Sequence, residues 1–87
     1  MVVLKITDIV RTTDLVFYMD EFEATATYNI LGVEQKGRIK FRIENTATGQ
    51  KHLSVQLLDE IDYPILRLQM ELKQKISELI KANKLPL

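Results

Sequence analysis

Two runs of alternating residues, separated by one turn-rich loop, constrain the fold of this chain more than any other feature. Residues 38–44 alternate charged with apolar side chains, and residues 52–57 resume the alternation after the loop 45–49. A period of two residues is typical of a strand that is buried on one face only. The apolar positions of the two runs are Ile39, Phe41, Ile43, Leu53, Val55 and Leu57. The sequence therefore predicts an antiparallel hairpin with one apolar face and one basic face.

The register of this hairpin is expected to pair Arg42 with His52 and Phe41 with Leu53. This pairing places the apolar positions of both strands on the same face of the sheet. A slip of one residue would move every side chain of one strand to the opposite face. We therefore expect this register in the folded protein.

Alternation elsewhere predicts three further strands, over residues 2–7, 15–20 and 22–31. A turn over residues 12–14 and a tight turn at Asp20–Glu21 would separate them. The strand over 22–31 and the two strands of the hairpin would then form an antiparallel meander.

The connection into the hairpin is expected to be a longer turn that ends at Gly37. Glycine takes a positive φ at low cost, which suits a hairpin closed by a bulge. In this register Val33 lies opposite Arg38, and both Leu31 and Val33 fall on the basic face of the sheet.

The hydrophobic period changes after Leu57 in a way that predicts one C-terminal helix. Acidic side chains within residues 59–62 and Pro64 precede it, as is favourable at a helix N-terminus, and Asn83 marks its end. Glu71 and Lys75 are spaced for an i,i+4 ion pair on its exposed side. Its apolar stripe comprises Ile65, Leu68, Leu72, Ile76 and Leu79.

Together these elements predict a single small α+β domain over residues 1–87. Its architecture is an antiparallel four- to five-stranded meander sheet with one C-terminal amphipathic helix packed on the apolar face. A chain of 87 residues buries a core that only just offsets the entropy of folding. Such a domain gains stability from the surface of a second chain.

The charges of the chain balance overall but not along its length. Twelve basic residues match twelve acidic ones, yet residues 1–34 carry two basic and six acidic side chains. The remainder carries ten basic and six acidic ones. The acidic and basic halves could attract each other within one molecule or between two copies.

Several functional classes are excluded by composition. The N-terminal segment lacks the pattern of a signal peptide, and no apolar run approaches the roughly 20 residues of a membrane span. With no cysteine and a single histidine, the chain has neither disulfides nor a His/Cys zinc cluster. We therefore expect a soluble cytoplasmic protein with no membrane partner and no cofactor.

The basic face of the hairpin is the best candidate for a binding site. Lysine and arginine attract a phosphate backbone whatever its sequence, and polar neighbours can donate hydrogen bonds. Alternatively, these are ordinary solvent-facing strand positions, where lysine and arginine discourage aggregation at sheet edges. The face presents no aromatic ring on which a base could stack. The candidate nucleic-acid-binding or anion-binding residues are Arg38, Lys40, Arg42 and His52.

Catalytic chemistry is not predicted. His52 is the one residue that titrates near neutrality, and no carboxylate is expected in register to orient it as a base. Asp20, Glu21 and Glu23 could suggest a site for a hard metal ion, but consecutive carboxylates on a strand point to opposite faces. We therefore expect no catalytic, cofactor-binding or metal-binding residues, and a protein that is not an enzyme.

Four apolar residues are left uncovered by the predicted fold. Leu66 and Met70 project away from the stripe of the helix, and Leu31 and Val33 fall on the basic face. Uncovered apolar groups on a small domain suggest a second chain. The leading hypothesis is a non-enzymatic protein-interaction module that forms a homodimer through these residues or through an open sheet edge. The alternative is a module that binds single-stranded DNA or RNA on the basic face.

The predicted order of elements also resembles a known architecture. A meander of strands followed by one helix is similar in outline to the single-stranded nucleic-acid-binding domains of the PC4-like and PUR families, over about residues 15–82. The segment KGRIKFRIEN, residues 36–45, resembles the basic strand of those domains. The resemblance implies pairing as dimers. The aromatic positions expected on that strand are missing here, so no functional residue is carried over.

Overall fold

The computed structural model describes residues 2–12, 19–61, 63–82 and 84–85, and it forms one sheet and one helix. In chain order the elements are β1 (Val3–Arg11), β2 (Met19–Ile30), β3 (Val33–Asn45), β4 (Lys51–Leu57) and α1 (Ile65–Lys81). The strands lie in the order β1-β2-β3-β4, and each is antiparallel to its neighbours. The predicted α+β class, with a four-stranded meander and a C-terminal helix, is confirmed.

The β3–β4 hairpin forms where the alternation predicts it, but in a different register. Phe41 lies opposite Val55, Arg42 lies opposite Ser54, and His52 lies opposite Glu44. The predicted register is therefore wrong by two residues. A shift of two residues keeps every side chain on its own face, so alternation alone does not distinguish the two pairings.

The turn between β2 and β3 lies at Leu31 and Gly32 rather than at Gly37. Leu31 has φ of 52° and Gly32 has φ of 81°, and these two residues separate the paired residues Ile30 and Val33. Positive φ at both central residues is characteristic of a type I′ turn, whose twist matches that of the flanking strands. The predicted turn was wrong because the one glycine that needs a positive φ here is Gly32.

Gly37 instead lies inside β3, where it makes room for a tyrosine ring. A Cβ at this position would lie 3.2 Å from Ile61 Cδ1 and 3.4 Å from Tyr28 Cε2. The Tyr28 hydroxyl is buried without a hydrogen-bond partner in the described part of the chain. Burial and, secondarily, the charge of Asp59 raise the pKa of Tyr28 to about 12.

Two further sequence predictions are wrong because of these pairings. Val33 shares the apolar face with Ile39, while Leu31 belongs to the turn, so neither lies on the basic face. Strand β2 runs through Asp20 and Glu21 without a turn. Met19 and Asp20 begin β2 rather than ending a separate strand, and residues 15–18 of that predicted strand lie outside the described residues.

The core lies between α1 and the apolar face of the sheet. Leu68, Leu72 and Ile76 of the predicted stripe are fully buried, and the stacked rings of Phe22 and Phe41 lie 5.0 Å apart in the same core. The core residues contributed by β2 and β3 are Phe22, Ala24, Ala26, Tyr28, Ile30, Ile39, Phe41 and Ile43. The helix therefore packs on the apolar face, as predicted.

The ends of α1 differ from the sequence prediction in two respects. Ile65, assigned to the buried stripe, is 58% exposed, because it is the first residue of the helix. Glu71 pairs with Arg67 at 3.8 Å rather than with Lys75. Its Oε1 atom also accepts hydrogen bonds from the backbone N–H groups of Val2, at 2.7 Å, and Val3, at 3.1 Å. Glu71 thus ties the helix to the start of β1.

Candidate functional site

The sheet face opposite α1 carries most of the candidate site residues. Strands β2, β3 and β4 place alternate side chains there, and the β2–β3 register sets Glu21 opposite Arg42 and Glu23 opposite Lys40. The charged side chains of this face on the central strands are Glu21, Glu23, Glu34, Lys36, Arg38, Lys40, Arg42 and Glu44. We call these eight residues the charged face.

The cations of the charged face are held by carboxylates. Glu21 is the centre of the network, because its two oxygens contact Lys40 Nζ at 2.9 Å and Arg42 Nη2 at 3.3 Å. Arg42 Nη1 also contacts Glu44 at 3.4 Å, and Arg38 contacts Glu23 at 3.7 Å. The hydrogen bond from Lys40, supported by Arg42, lowers the pKa of Glu21 and outweighs the opposing effect of burial. Glu21 is therefore ionised at neutral pH.

The structure brings the predicted basic residues together but changes their electrostatic character. Arg38, Lys40 and Arg42 do lie side by side on β3. The carboxylates between them were missed, because the predicted register put Asn29 rather than Glu21 opposite Arg42. The signal was nevertheless present: Glu21 and Glu23 are two residues apart on a strand, so they must share a face. The face is mixed in charge rather than basic.

His52 is exposed at the end of this surface and does not have the surroundings predicted for it. Glu44 lies opposite it in the ladder, whereas no carboxylate was expected in register. The Glu44 carboxylate is held by Arg42.

The charged face contains a shallow depression of about 250 Å³. Its walls are Glu21, Lys40, Arg42, Ser54 and Gln56. An anion entering it would have to displace Glu21 from Lys40 and Arg42, which makes anion binding unfavourable. A surface that itself carries both signs of charge could exchange ion pairs with this face at lower cost.

The acidic residues near the start of β2 do not assemble a metal site. Asp20 is turned to the other side of the strand from Glu21 and pairs with Arg11 Nη2 at 2.6 Å. Within residues 2–12, 19–61, 63–82 and 84–85, no group of three His, Cys, Asp or Glu side chains is arranged to hold a metal ion.

The four predicted interface residues are all exposed apolar side chains. Leu31 is 98% exposed at the β2–β3 turn, with Val33 beside it, while Leu66 and Met70 are 77% and 72% exposed on α1. Leu58 and Ile65, which were not predicted as interface residues, are also exposed near Leu66 in the chain. Ile65 was missed because its spacing fits the buried stripe.

A groove of about 610 Å³ lies at the beginning of α1. It is lined by Leu57, Leu58, Asp59, Glu60, Ile61 and Ile65. The groove and the exposed side chains of Leu66 and Met70 occupy consecutive parts of the chain around the helix N-terminus. We call this region the α1 patch.

These features define a small α+β domain with a mixed-charge sheet face and an exposed apolar patch at its helix. The chain belongs to a single protein family, whose family model matches residues 1–81 and so spans the sheet and the helix. No curated protein and no solved structure matches the sequence significantly. No helix in the described residues is long and apolar enough to cross a membrane.

Proposed function

We propose that this protein is a non-enzymatic interaction module that acts as a homodimer. The observation that carries the proposal is the α1 patch, where Ile65, Leu66 and Met70 are each more than half exposed. Contiguous exposed apolar side chains on a small domain are typical of a protein–protein contact. A second copy of the chain would cover them.

The size of the exposed surface supports a partner. The accessible area is 6015 Å² for a chain of 10.1 kDa. A compact monomer of this mass is expected to expose about 5,300 Å². The excess of about 700 Å² is close to the roughly 800 Å² that each partner buries in a protein–protein interface of ordinary size. The elongated shape, 41 × 23 × 22 Å, accounts for the larger surface.

The electrostatics of the charged face favour a binding role over a catalytic one. A general acid or base needs a pKa near the working pH. The neighbouring cations instead hold the pKa of Glu21 below its ordinary value. Glu21 is thus suited to stabilising the sheet. The proposal includes a cytoplasmic location, in keeping with a chain that has no cysteine.

The mass of the protein in solution tests this proposal. Light scattering or sedimentation equilibrium at high micromolar concentration is expected to give twice the chain mass of 10.1 kDa. A monomer under those conditions would overturn the proposal.

Binding of single-stranded nucleic acid on the charged face is a second candidate function. Four cations at alternate positions of one strand favour it, namely Lys36, Arg38, Lys40 and Arg42. Their pairing with carboxylates weakens the expected attraction. If the candidate is correct, the triple change of Arg38, Lys40 and Arg42 to Ala lowers affinity for labelled single-stranded DNA or RNA. The change of Glu21 and Glu23 to Gln then raises it, and both effects diminish at high salt.

The two carboxylate changes make this test specific. They leave every cation in place and remove only its competitor. If retention of the nucleic acid is the same for the parent protein and both variants, the charged face does not bind it.

A further inference from the structure

We propose that the two copies of this chain meet through the α1 patch in a two-fold symmetric contact with their α1 helices antiparallel. In this contact Leu66 and Met70 of each copy occupy the groove of the other copy. The inference rests on the proposed homodimer and adds the surface and the orientation of the contact.

The outer edge of β4 is an unsuitable alternative surface. The Leu58 N–H donates to Arg38 O at 3.0 Å, so the even-numbered residues of β4 bond to β3 and the odd-numbered backbone groups face outward. One of these outward groups, Val55 O, already accepts a hydrogen bond from Gln69 Nε2 at 3.3 Å. A strand added at this edge would have to displace Gln69 of α1.

The outer edge of β1 is irregular. Its pairing with β2 shifts between Val3 and Lys5 and again between Thr7 and Val10, and Asp8 has φ of 53°. Bulges of this kind twist an edge strand and prevent it from pairing continuously with another chain. Both sheet edges are therefore protected, which leaves the exposed side chains of the helix as the surface for a second copy.

The α1 patch has the shape that a two-fold contact requires. Such a contact uses the same surface on both copies, so that surface must contain both a projection and a depression to receive it. Leu66 and Met70 are the most exposed apolar residues of α1, and the groove with Ile65 on its wall begins at the residue before Leu66. One patch thus supplies both parts of the contact.

The charges around the patch specify the orientation. Glu60 lies at the groove, before the helix, and Lys73 is exposed three residues beyond Met70. With the two helices antiparallel, Glu60 of each copy faces Lys73 of the other. With the helices parallel, Glu60 would face Glu60 and Lys73 would face Lys73. Opposite charges across an interface favour the antiparallel arrangement.

The first test removes the apolar contact. Changing Leu66 and Met70 to Glu is expected to raise the dimer dissociation constant by about 100-fold, because each change places a carboxylate in an apolar contact twice per dimer. Sedimentation equilibrium measures this constant. Val10→Glu is the matched control, because Val10 is an exposed apolar residue of β1, outside the patch. The control should leave the dissociation constant unchanged, and circular dichroism should show all variants folded.

The second test exchanges the charges. Glu60→Lys and Lys73→Glu alone are each expected to raise the dissociation constant by about 10-fold, since each creates two like-charge pairs. The double variant is expected to return to within about threefold of the parent protein, because the pairs are restored with reversed sign. A failure of this rescue overturns the antiparallel arrangement.

The outcomes separate the inference from the function on which it rests. A monomeric parent protein overturns the proposed homodimer. A dimeric parent whose Leu66 and Met70 variant remains dimeric overturns the α1 contact and leaves the homodimer standing. If changing Leu31 to Asn and Val33 to Glu dissociates the dimer instead, the contact lies at the β2–β3 turn and the inference is wrong.

Discussion

Leu31 adopts a backbone conformation that its own side chain disfavours. Its φ of 52° lies in the left-handed region, and its side chain is almost fully exposed. The left-handed conformation costs residues with a Cβ about 1–2 kcal/mol, while asparagine tolerates it well. The turn therefore holds strain that packing does not offset.

Replacing Leu31 with asparagine is expected to increase the free energy of unfolding by about 1 kcal/mol, because Asn-Gly is a preferred pair in type I′ turns. Urea unfolding measures the change. Leu31→Ala is the control, because it removes the exposed side chain but retains the Cβ, and it should have little effect. Equal stabilisation by both variants would show that the exposed side chain, rather than the backbone strain, destabilises the protein.

Tyr28 buries a hydroxyl that has no hydrogen-bond partner in the described residues. Tyr28→Phe keeps the ring beside Gly37 and removes the unpaired group, so it is expected to stabilise the fold by about 1 kcal/mol at neutral pH. A destabilised variant would indicate that the hydroxyl does find a partner in solution.

The same residue predicts a dependence on alkaline pH. The pKa of Tyr28 is raised to about 12 in the folded protein, from 10.0 for an ordinary tyrosine. Above pH 10 the unfolded chain loses this proton first, so stability falls as the pH rises towards 12. Tyr28→Phe should unfold with a smaller decrease over this range. Identical pH profiles for the two proteins would contradict the raised pKa.

At the scale of the elements, Glu71 joins the helix to the sheet. Its carboxylate accepts two backbone hydrogen bonds at the start of β1, and its side chain is largely buried. Glu71→Ala leaves those N–H groups without this acceptor and is expected to destabilise the protein by about 2 kcal/mol. Glu71→Gln, which retains an acceptor oxygen, should cost less.

Glu78→Ala is the control for this prediction, because Glu78 is an exposed residue of the same helix. Chemical unfolding of the three variants and the parent provides the comparison. If Glu78→Ala is as destabilising as Glu71→Ala, the effect comes from the helix itself and not from its link to β1.

Glu21 predicts a dependence on acidic pH. Because Lys40 and Arg42 lower its pKa below the ordinary 4.5, its ion pairs stabilise the fold above that value and are lost as the pH falls through the lowered pKa. Glu21→Gln should be less stable than the parent at neutral pH. The difference should diminish below pH 4.5, as followed by thermal unfolding. A difference that is constant with pH would exclude the carboxylate as its source.

The elements themselves were largely predictable from the sequence, whereas their registers were not. Alternation identified β3 and β4, and helical spacing identified Leu68, Leu72 and Ile76 as core residues. The pairing of neighbouring strands depends on turn geometry, and alternation has the same value in every second register. The misplaced turn at Gly37 hid Glu21 from the site, because it gave Arg42 a different neighbour across the ladder.

At the scale of the whole molecule, dimerisation links stability to protein concentration. A second copy that binds only the folded state raises the unfolding temperature as the protein is concentrated. The parent protein is therefore expected to melt several degrees higher after a large increase in concentration. The variant with Glu at both Leu66 and Met70 should melt at one temperature throughout. A parent protein without concentration dependence would argue against the dimer.

The hydrogen bond between Gln69 and Val55 has a consequence for misfolding. While α1 is docked, its glutamine occupies a backbone acceptor on the outer edge of β4. If α1 separates from the sheet, that edge becomes a free template flanked by Leu53, Val55 and Leu57, which have lost their cover. Exposed apolar edges of this kind nucleate intermolecular strand pairing. The helix thus protects the chain from forming fibres, and its loss would lead to aggregation before complete unfolding.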